Sequence, residues 1–473
     1  MVQKGEITIF LSLMFVLLLS FILTMLDGAM MQTTKSQYRL AADLAIFSAF
    51  GEFQKELLEE YGVFALEGTY ERGVFDERNL IDRMAYYGAL GIQQEIEGLQ
   101  LLTDNNGQAF REQVLYYMEE RYGISYAMDI MGLSRQWEEQ EIEGERALRE
   151  EGDILSDIAD MLAEEEATMP TEDNPIAHVN QLRTSSILSL IMPDENPLSN
   201  LSISLEGQAS RRSLNNGWGE FPARGNVSGI EQRLLYQEFL IDKFDHATSR
   251  LKDDHQESLQ ESGEDGQQSN QRNLAYEIEY ILEGQGSDAK NLERVALKIL
   301  LIRMGANTIH IYQCSEKKGQ AQAMAIALAA ATKSPGLKKA YENGILIAWA
   351  FGESIVDIRA LMEGKKVPVL KTKDSWQLSL SNLLKLGTSD DTTTGRNEEK
   401  GMSYEDYLRI FLFAANSNNV TMRTIDRVEQ NMITEQEKDF FRADHCISKV
   451  RVRNVATIRG DITYEFPLYF SYL

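Results

Sequence analysis

Several residue types that mark well-known protein classes are scarce in this chain of 473 residues. It has only two cysteines, which excludes a disulfide-dense scaffold and a four-cysteine zinc ribbon. Basic residues are outnumbered as well, since 47 Lys and Arg stand against 73 Asp and Glu, and the net charge is −26. Because so acidic a surface repels phosphate backbones, we expect no nucleic-acid partner.

The chain also lacks the short motifs that accompany common enzyme chemistries. Walker A, G-x-G-x-x-G, G-x-S-x-G and H-E-x-x-H patterns are absent, so the sequence predicts no catalytic site and no cofactor. No metal-ligand spacing occurs among the five histidines, which are His178, His246, His255, His310 and His445. The length nevertheless allows two or three domains with a large buried core.

One long hydrophobic run is present, and it predicts a membrane anchor. Ile7–Leu26 contains no charged residue, and twenty helical residues span about 30 Å, the thickness of the hydrocarbon core of a bilayer. The alternative is a cleaved signal peptide, whose apolar part is shorter and ends at a small residue, whereas Asp27 follows here. We therefore predict a single-pass protein of the cell membrane that contacts lipid through Ile7 to Leu26. The size and acidity of the remainder favour a cytoplasmic N-terminus and an extracellular bulk.

The helical pattern continues beyond the anchor. Apolar residues recur at helical spacing up to Tyr61, and Gly62 is a typical residue for the end of a helix. We therefore predict one unbroken helix, Ile7–Tyr61, that leaves the membrane as a long spine. A short strand is predicted after it, over residues 63–66.

The rest of the chain predicts a mostly helical ectodomain of the α+β class, with a small antiparallel sheet and a C-terminal hairpin. Alternating residues predict a strand at Tyr276–Leu282, and two further strands, Ile447–Ile458 and Ile462–Leu473, form the hairpin. The tract Lys252–Asn273 has one aliphatic residue and predicts a disordered loop. The expected divisions are 1–27 as membrane anchor, 28–167 as spine and acidic helical region, 168–275 as a polar, partly disordered insert, and 276–473 as the ectodomain core.

The N-terminus resembles that of pilins. The start KGEITIFLSL has the basic residue, glycine and hydrophobic run of type IV pilins and TadE/TadG-like minor pilins, which implies processing between Gly5 and Glu6. It departs from them because the acidic residue follows the glycine directly, whereas pilins usually have a glutamate where this chain has Phe10.

A broader resemblance covers nearly the whole chain. The sequence is similar to an uncharacterised family of clostridial-type (Firmicutes) cell-envelope proteins associated with Tad-type pilus components. This resemblance implies a location and a system but no activity. The segments that carry it, besides the N-terminus, are LLEEYGVFAL (57–66), YEIEYIL (276–282), ESIVDIRALMEGKKVP (353–368), WQLSLSNLLK (376–385) and MSYEDYL (402–408).

Two pairs of residues are candidates for chemistry. Cys314 and Cys446 are either a disulfide that closes a long loop or two buried free thiols. Glu353 and Asp357 lie one helical turn apart, as a catalytic pair of carboxylates or as part of a buried polar network with Arg359 or another base.

Two short motifs have simple alternatives. Ser315 to Lys318 matches S-x-x-K of penicillin-binding proteins without its companion motifs. Arg459-Gly460-Asp461 is a tripeptide that some adhesion receptors bind, but it is also a typical hairpin turn. The sequence thus favours a non-enzymatic structural or assembly protein, with pilin-like or secretion-system proteins as partners. The alternative is a membrane-anchored cell-envelope hydrolase.

Overall fold

The structure, a computed structural model, describes residues 3–122, 128–164, 169–192, 198–222, 229–249, 273–459 and 462–472. Its contacts divide the chain into two compact units. The sheet unit comprises Met1–Tyr117, Ser213–Asn226 and Gln436–Leu473, and the helical unit comprises Met118–Arg212 and Val227–Glu435. Each unit is therefore assembled from stretches that are far apart in the sequence.

The first helix, α1, runs without interruption over Gln3–Phe50 and is about 72 Å long at 1.5 Å per residue. Its apolar run is exposed, whereas Ala42, Ala45 and Ala49 near its other end are completely buried in the core of the sheet unit. The predicted continuation to Tyr61 is wrong. A turn at Gly51 separates α1 from α2 (Lys55–Tyr61), because glycine is a poor helix former.

The end of α2 is the one that the sequence predicts. Gly62 adopts a left-handed backbone with φ of 68°, and its N–H donates to the Leu58 carbonyl. A side chain at Gly62 would also meet the ring of Tyr117 at 2.5 Å. The position therefore requires glycine for both its conformation and its packing.

Among the described residues, the sheet unit contains four antiparallel strands, one of them central. The strands are β1 (Leu66–Glu67), β2 (Ile92–Leu101), β3 (Cys446–Arg459) and β4 (Ile462–Ser471). β3 is central and pairs with the other three, and its hairpin with β4 confirms the one predicted from the C-terminal alternation. The expected spine and acidic helical region over residues 28–167 did not include β2. Helices α3 (Arg78–Met84) and α4 (Asp104–Tyr122) lie on either side of β2 in the sequence.

The remaining helices are α5 (Met128–Glu164), α6 (Pro175–Thr184), α7 (Ile187–Ile191), α8 (Ile230–Lys243), α9 (Glu277–Glu283), α10 (Asp288–Gln313), α11 (Ser315–Ala331), α12 (Lys338–Met362), α13 (Leu380–Leu383), α14 (Tyr404–Ala414) and α15 (Ser417–Thr434). Together with the long α1 and the small sheet they confirm the predicted α+β class. The predicted disordered loop, Lys252–Asn273, lies outside the described residues except for Asn273, and so do Gly460 and Asp461.

The acidic segment around residue 150 is more than a solvated helix. In α5, Ile154 and Ile158 are buried, and the helix packs closely on α10. Two glycines make this contact: a Cβ on Gly144 would lie 1.9 Å from the Leu301 carbonyl oxygen, and one on Gly305 would lie 1.9 Å from that of Gln140. The two backbones are thus in direct contact.

The strand predicted at Tyr276–Leu282 is a helix instead, α9. All seven residues are buried, including the carboxylates of Glu277 and Glu279, so the alternation does not separate an inner from an outer face. Both carboxylates accept hydrogen bonds in the core. Glu277 accepts from Arg427 at 3.0 Å, and Glu279 accepts from the Tyr404 hydroxyl at 2.6 Å.

Two helices of the described residues are long and apolar enough to cross a membrane. The apolar window of the N-terminal helix is not buried at all, as expected for a segment that contacts lipid. The second is α10, whose window is 67% buried within the protein. Its contacts with α5 and α12 identify it as a core helix of the helical unit.

Candidate functional site

Four charged side chains meet in the core of the helical unit, and we call Arg303, Glu353, Asp357 and Lys371 the charge cluster. Glu353 and Asp357 lie one turn apart on α12, Arg303 comes from α10, and Lys371 comes from the loop after α12. All four side chains are completely buried. Two positive and two negative charges make the cluster formally neutral.

The ion pairs in the charge cluster are short and shared. Lys371 Nζ lies 2.5 Å from Glu353 Oε1 and 2.7 Å from Asp357 Oδ1. Arg303 Nη2 lies 2.9 Å from Asp357 Oδ2, so Asp357 binds both bases. Burying an ion away from water costs free energy. These contacts offset that cost only because each ion has several partners.

Neutral groups complete the coordination of the charge cluster. The backbone N–H of Leu378 donates to Glu353 at 2.7 Å, and the Asn307 side chain donates to Asp357 at 3.1 Å. Arg303 also donates to the Pro368 carbonyl at 2.7 Å, and Lys371 to the Ser375 carbonyl at 3.1 Å. The cluster therefore ties α10 and α12 to the loop over residues 368–378.

The two carboxyl groups differ in their pKa. Burial dominates at Glu353 and raises its pKa above the ordinary value. Burial also acts to raise the pKa of Asp357, but the charges of Arg303 and Lys371 outweigh it and hold that pKa below its usual range. Chemically the cluster is a buried ion-pair network, because both carboxylates are already paired with cations of the same core.

Arg359 does not take part in the charge cluster. Its guanidinium lies 2.7 Å from Asp391 and also donates to the Leu190 carbonyl. The sequence therefore identified two of the four members of the cluster, and its bases are Arg303 and Lys371 instead of Arg359. Lys371 and Arg303 are 14 and 54 positions from Asp357, and no sequence spacing reveals that the loop and α10 return to α12 at this point.

The S-x-x-K motif places a different lysine in a distinctive environment. Ser315 is exposed at the start of α11, whereas Lys317 lies between two indole rings. Its Nζ is 4.4 Å from the ring centre of Trp349 and 4.6 Å from that of Trp376. Cation–π attraction explains this position, and burial lowers the pKa of Lys317. Sequence reasoning missed Lys317, because it occupies one of the two variable positions of the motif.

The two cysteines are free thiols in the structure. Cys314 is half-buried and belongs to the helical unit, and Cys446 is buried in the sheet unit, where its Sγ donates to the Arg442 carbonyl at 3.4 Å. The disulfide is therefore not formed there. Gly5 and Glu6 lie at the start of α1, and processing between them stays a prediction.

The histidines have separate surroundings. His246 lies 3.8 Å from Glu405, His178 contacts the Leu386 carbonyl, His310 stacks on Trp376 and His445 stacks on Phe75. His255 lies outside the described residues. Over the described ranges, no group of three or more His, Cys, Asp or Glu residues is placed to hold a metal ion.

Comparison with known proteins gives one match. No match was found among curated proteins or among solved structures. A family model described as a family of unknown function, DUF5702, matches residues 165–458, which is more than half of the chain and includes the whole charge cluster. The chain therefore belongs to this family of unknown function.

Proposed function

We propose that the protein is a membrane-anchored, extracytoplasmic structural or assembly protein that belongs to, or assists, a Tad-like pilus or secretion apparatus. The observation that carries the proposal is the single helix α1. One end of this helix is apolar and exposed, and the other end is part of a globular core. The pilin-like N-terminal sequence supports the assignment to this kind of apparatus.

Several contacts fix α1 on the sheet unit, so the membrane anchor also determines where the sheet unit lies. Ala45 and Ile46 pack against the sheet, the Tyr38 hydroxyl donates to the Thr457 carbonyl at 3.2 Å, and the Phe50 ring stacks on Phe470 at 4.2 Å. An anchor continuous with the core keeps the sheet unit near the membrane, because α1 is one helix without a proline, the residue that most often kinks a helix. Such a geometry suits a protein that positions others at a membrane.

The described side chains favour a structural role over the hydrolase alternative. Glu353 and Asp357 are neutralised by buried bases, and Ser315 is exposed at a helix start without a hydrogen bond to Lys318 among the described residues. An acyl-transfer enzyme needs a nucleophile within hydrogen-bond reach of its base. The acidic surface of an anchored body instead suits binding to basic or cationic partners.

Two experiments test the proposal. Crosslinking in intact cells followed by purification of the full chain should capture pilus or secretion-system proteins, and their absence from every preparation would reject the role. Leu17→Arg, which places a charge in the middle of the apolar run, should release the protein from membranes, since the charge costs about 3 kcal/mol there. Leu201→Arg, at an exposed position outside the run, is the matched control and should leave it bound.

Orientation and processing are tested on the same material. Protease added to intact cells should digest the acidic bulk of the chain if that bulk is extracellular. Mass spectrometry of the N-terminus should show either an intact start or a cut between Gly5 and Glu6. A start beyond Ala29 would reject the anchor.

A further inference from the structure

The charge cluster holds an amine and a carboxyl group at a distance from which an amide bond can form. Lys371 Nζ lies 2.5 Å from Glu353 Oε1, and both side chains are completely buried. The carboxyl carbon is one bond further on, so nitrogen and carbon are close to the separation of about 3–3.5 Å from which bonds form. The folded core therefore gives this pair a very high effective concentration and excludes bulk water from it.

A second carboxylate is placed to carry the protons that Lys371 has to lose. Asp357 Oδ1 lies 2.7 Å from Lys371 Nζ, and Arg303 lies 2.9 Å from the other oxygen, Oδ2. Although burial opposes it, the charges of Arg303 and Lys371 hold the pKa of Asp357 below its usual range. Burial instead raises the pKa of Glu353, which favours the neutral acid form. The two carboxyl groups are therefore suited to different roles, Glu353 as the electrophile and Asp357 as the base.

Backbone donors face the carboxyl group on which negative charge develops during such a reaction. The N–H of Leu378 donates to Glu353 Oε2 at 2.7 Å, and that of Gln377 is shared between Oε1 at 3.0 Å and Oε2 at 3.3 Å. Paired N–H groups of this kind stabilise the tetrahedral intermediate of acyl transfer. They belong to the loop that also carries Lys371, whose Nζ donates to the Ser375 carbonyl at 3.1 Å. One loop thus supplies both the amine and the oxyanion donors.

We propose that Lys371 and Glu353 become joined by an amide bond between Nζ and Cδ, which locks the loop over residues 368–378 to α12. One proton of the Lys371 ammonium passes through Asp357 to Glu353, which leaves a free amine beside a neutral carboxyl group. The amine attacks the carboxyl carbon, and the hydroxyl leaves as water with a second nitrogen proton that Asp357 carries across. The third proton stays on the amide nitrogen, Asp357 ends ionised as it began, and no oxidant or cofactor is required.

The sheet unit contains a comparable pair that lacks this arrangement. Lys449 lies 2.8 Å from Glu112, and both side chains are almost completely buried. No second carboxylate of the described residues lies within ion-pair distance of Lys449. This pair should therefore remain an ion pair, and its tryptic peptides, which should stay separate, are the internal control. The proposal concerns the helical unit alone and does not rest on the membrane anchor or on the proposed apparatus.

The test is mass spectrometry of tryptic peptides from the denatured full chain. Glu353 lies in the peptide 340–359, and Lys371, once its amine is blocked, lies in the peptide 367–373. We expect these two peptides to be joined, with the sum of their masses less one water molecule. Fragmentation of the joined product should place the link on Glu353.

Asp357→Asn keeps both partners of the bond but removes the base, so it should reduce the joined product at least several-fold. Asp391→Asn is the matched control, because it removes a buried carboxylate that pairs with Arg359 outside the charge cluster, and it should leave the product unchanged. Separate peptides from the unmodified chain, a link on Asp357, or an equal product from Asp357→Asn would overturn the proposal. The unmodified chain decides the matter even if Asp357→Asn does not fold.

Discussion

Replacing Lys371 by methionine tests whether the charge cluster is a balanced structural junction. The substitution keeps the length of the side chain but removes the ammonium that lies 2.5 Å from Glu353 and 2.7 Å from Asp357. Asp357 keeps Arg303, whereas Glu353 keeps only neutral donors such as the Leu378 N–H. A fully buried carboxylate is left without a counter-charge.

The expected loss of stability is large for a single substitution. Breaking a buried ion pair by removing one partner costs about 3–5 kcal/mol, because the remaining charge stays desolvated. The free energy of unfolding of a typical domain is about 5–15 kcal/mol, so Lys371→Met should remove a substantial share of the stability. Adding Glu353→Gln to this variant should restore part of the loss, since the uncompensated charge is removed, with a coupling of roughly 1–3 kcal/mol.

The assay is urea unfolding of the full chain in detergent, followed by tryptophan fluorescence. Trp349 and Trp376 report on the region, because both indoles donate to the Leu378 carbonyl next to the charge cluster. Lys373→Met is the matched control: Lys373 lies two residues away, and its ion pair with Glu316 is exposed. It should change the stability by less than about 1 kcal/mol. Equal effects of the two substitutions, or no rescue by Glu353→Gln, would refute the reasoning.

Three further predictions use the same measurement. Gly144→Ala should destabilise the protein by about 1–3 kcal/mol, because its Cβ would meet the Leu301 carbonyl. Gly152→Ala is the control on the same helix. A Cβ there has nothing within 4 Å, so this variant should be neutral or stabilising by up to about 1 kcal/mol. Ser403→Ala removes the capping box of α14 and should cost about 1 kcal/mol; a change below 0.3 kcal/mol, roughly the noise of such a comparison, would contradict the cap. Burial raises the pKa of Asp426, so the contribution of this carboxyl group to stability is lost as the pH rises. The Asp426→Asn variant should therefore become more stable relative to the unmodified chain between pH 4 and pH 7. A difference in stability that stays constant with pH would contradict the raised pKa.

Local sequence signals predicted the elements with strong periodicity. Helix α1 was predicted from Ile7 onward, because its apolar residues recur at helical spacing. The hairpin of β3 and β4 was also predicted, since alternation there coincides with one buried and one exposed face of the sheet. The capping box at Ser403 and Asp406 is local chemistry and needed no tertiary information.

Two failures share a physical cause, since each depended on a partner in a distant part of the chain. Alternation predicted a strand at Tyr276–Leu282, but Glu277 and Glu279 accept hydrogen bonds in the core from Arg427 and Tyr404, more than 120 positions away. Strand β2 was missed because its partner, β3, lies more than 300 residues further along the chain. The spine ended early at Gly51, where one glycine decided between a continuing helix and a turn.

The sequence by itself determined that this protein has an apolar N-terminal helix, a large acidic remainder and an α+β fold, because length, charge and periodicity are properties of neighbouring residues. Only the tertiary structure decided which charges meet in the core. The pairing of Lys371 and Arg303 with Glu353 and Asp357 depends on how α10, α12 and a loop pack. It also decided which face of α1 stays uncovered, since a helix has no intrinsic inner side until the sheet packs against Ala42 and Ala45.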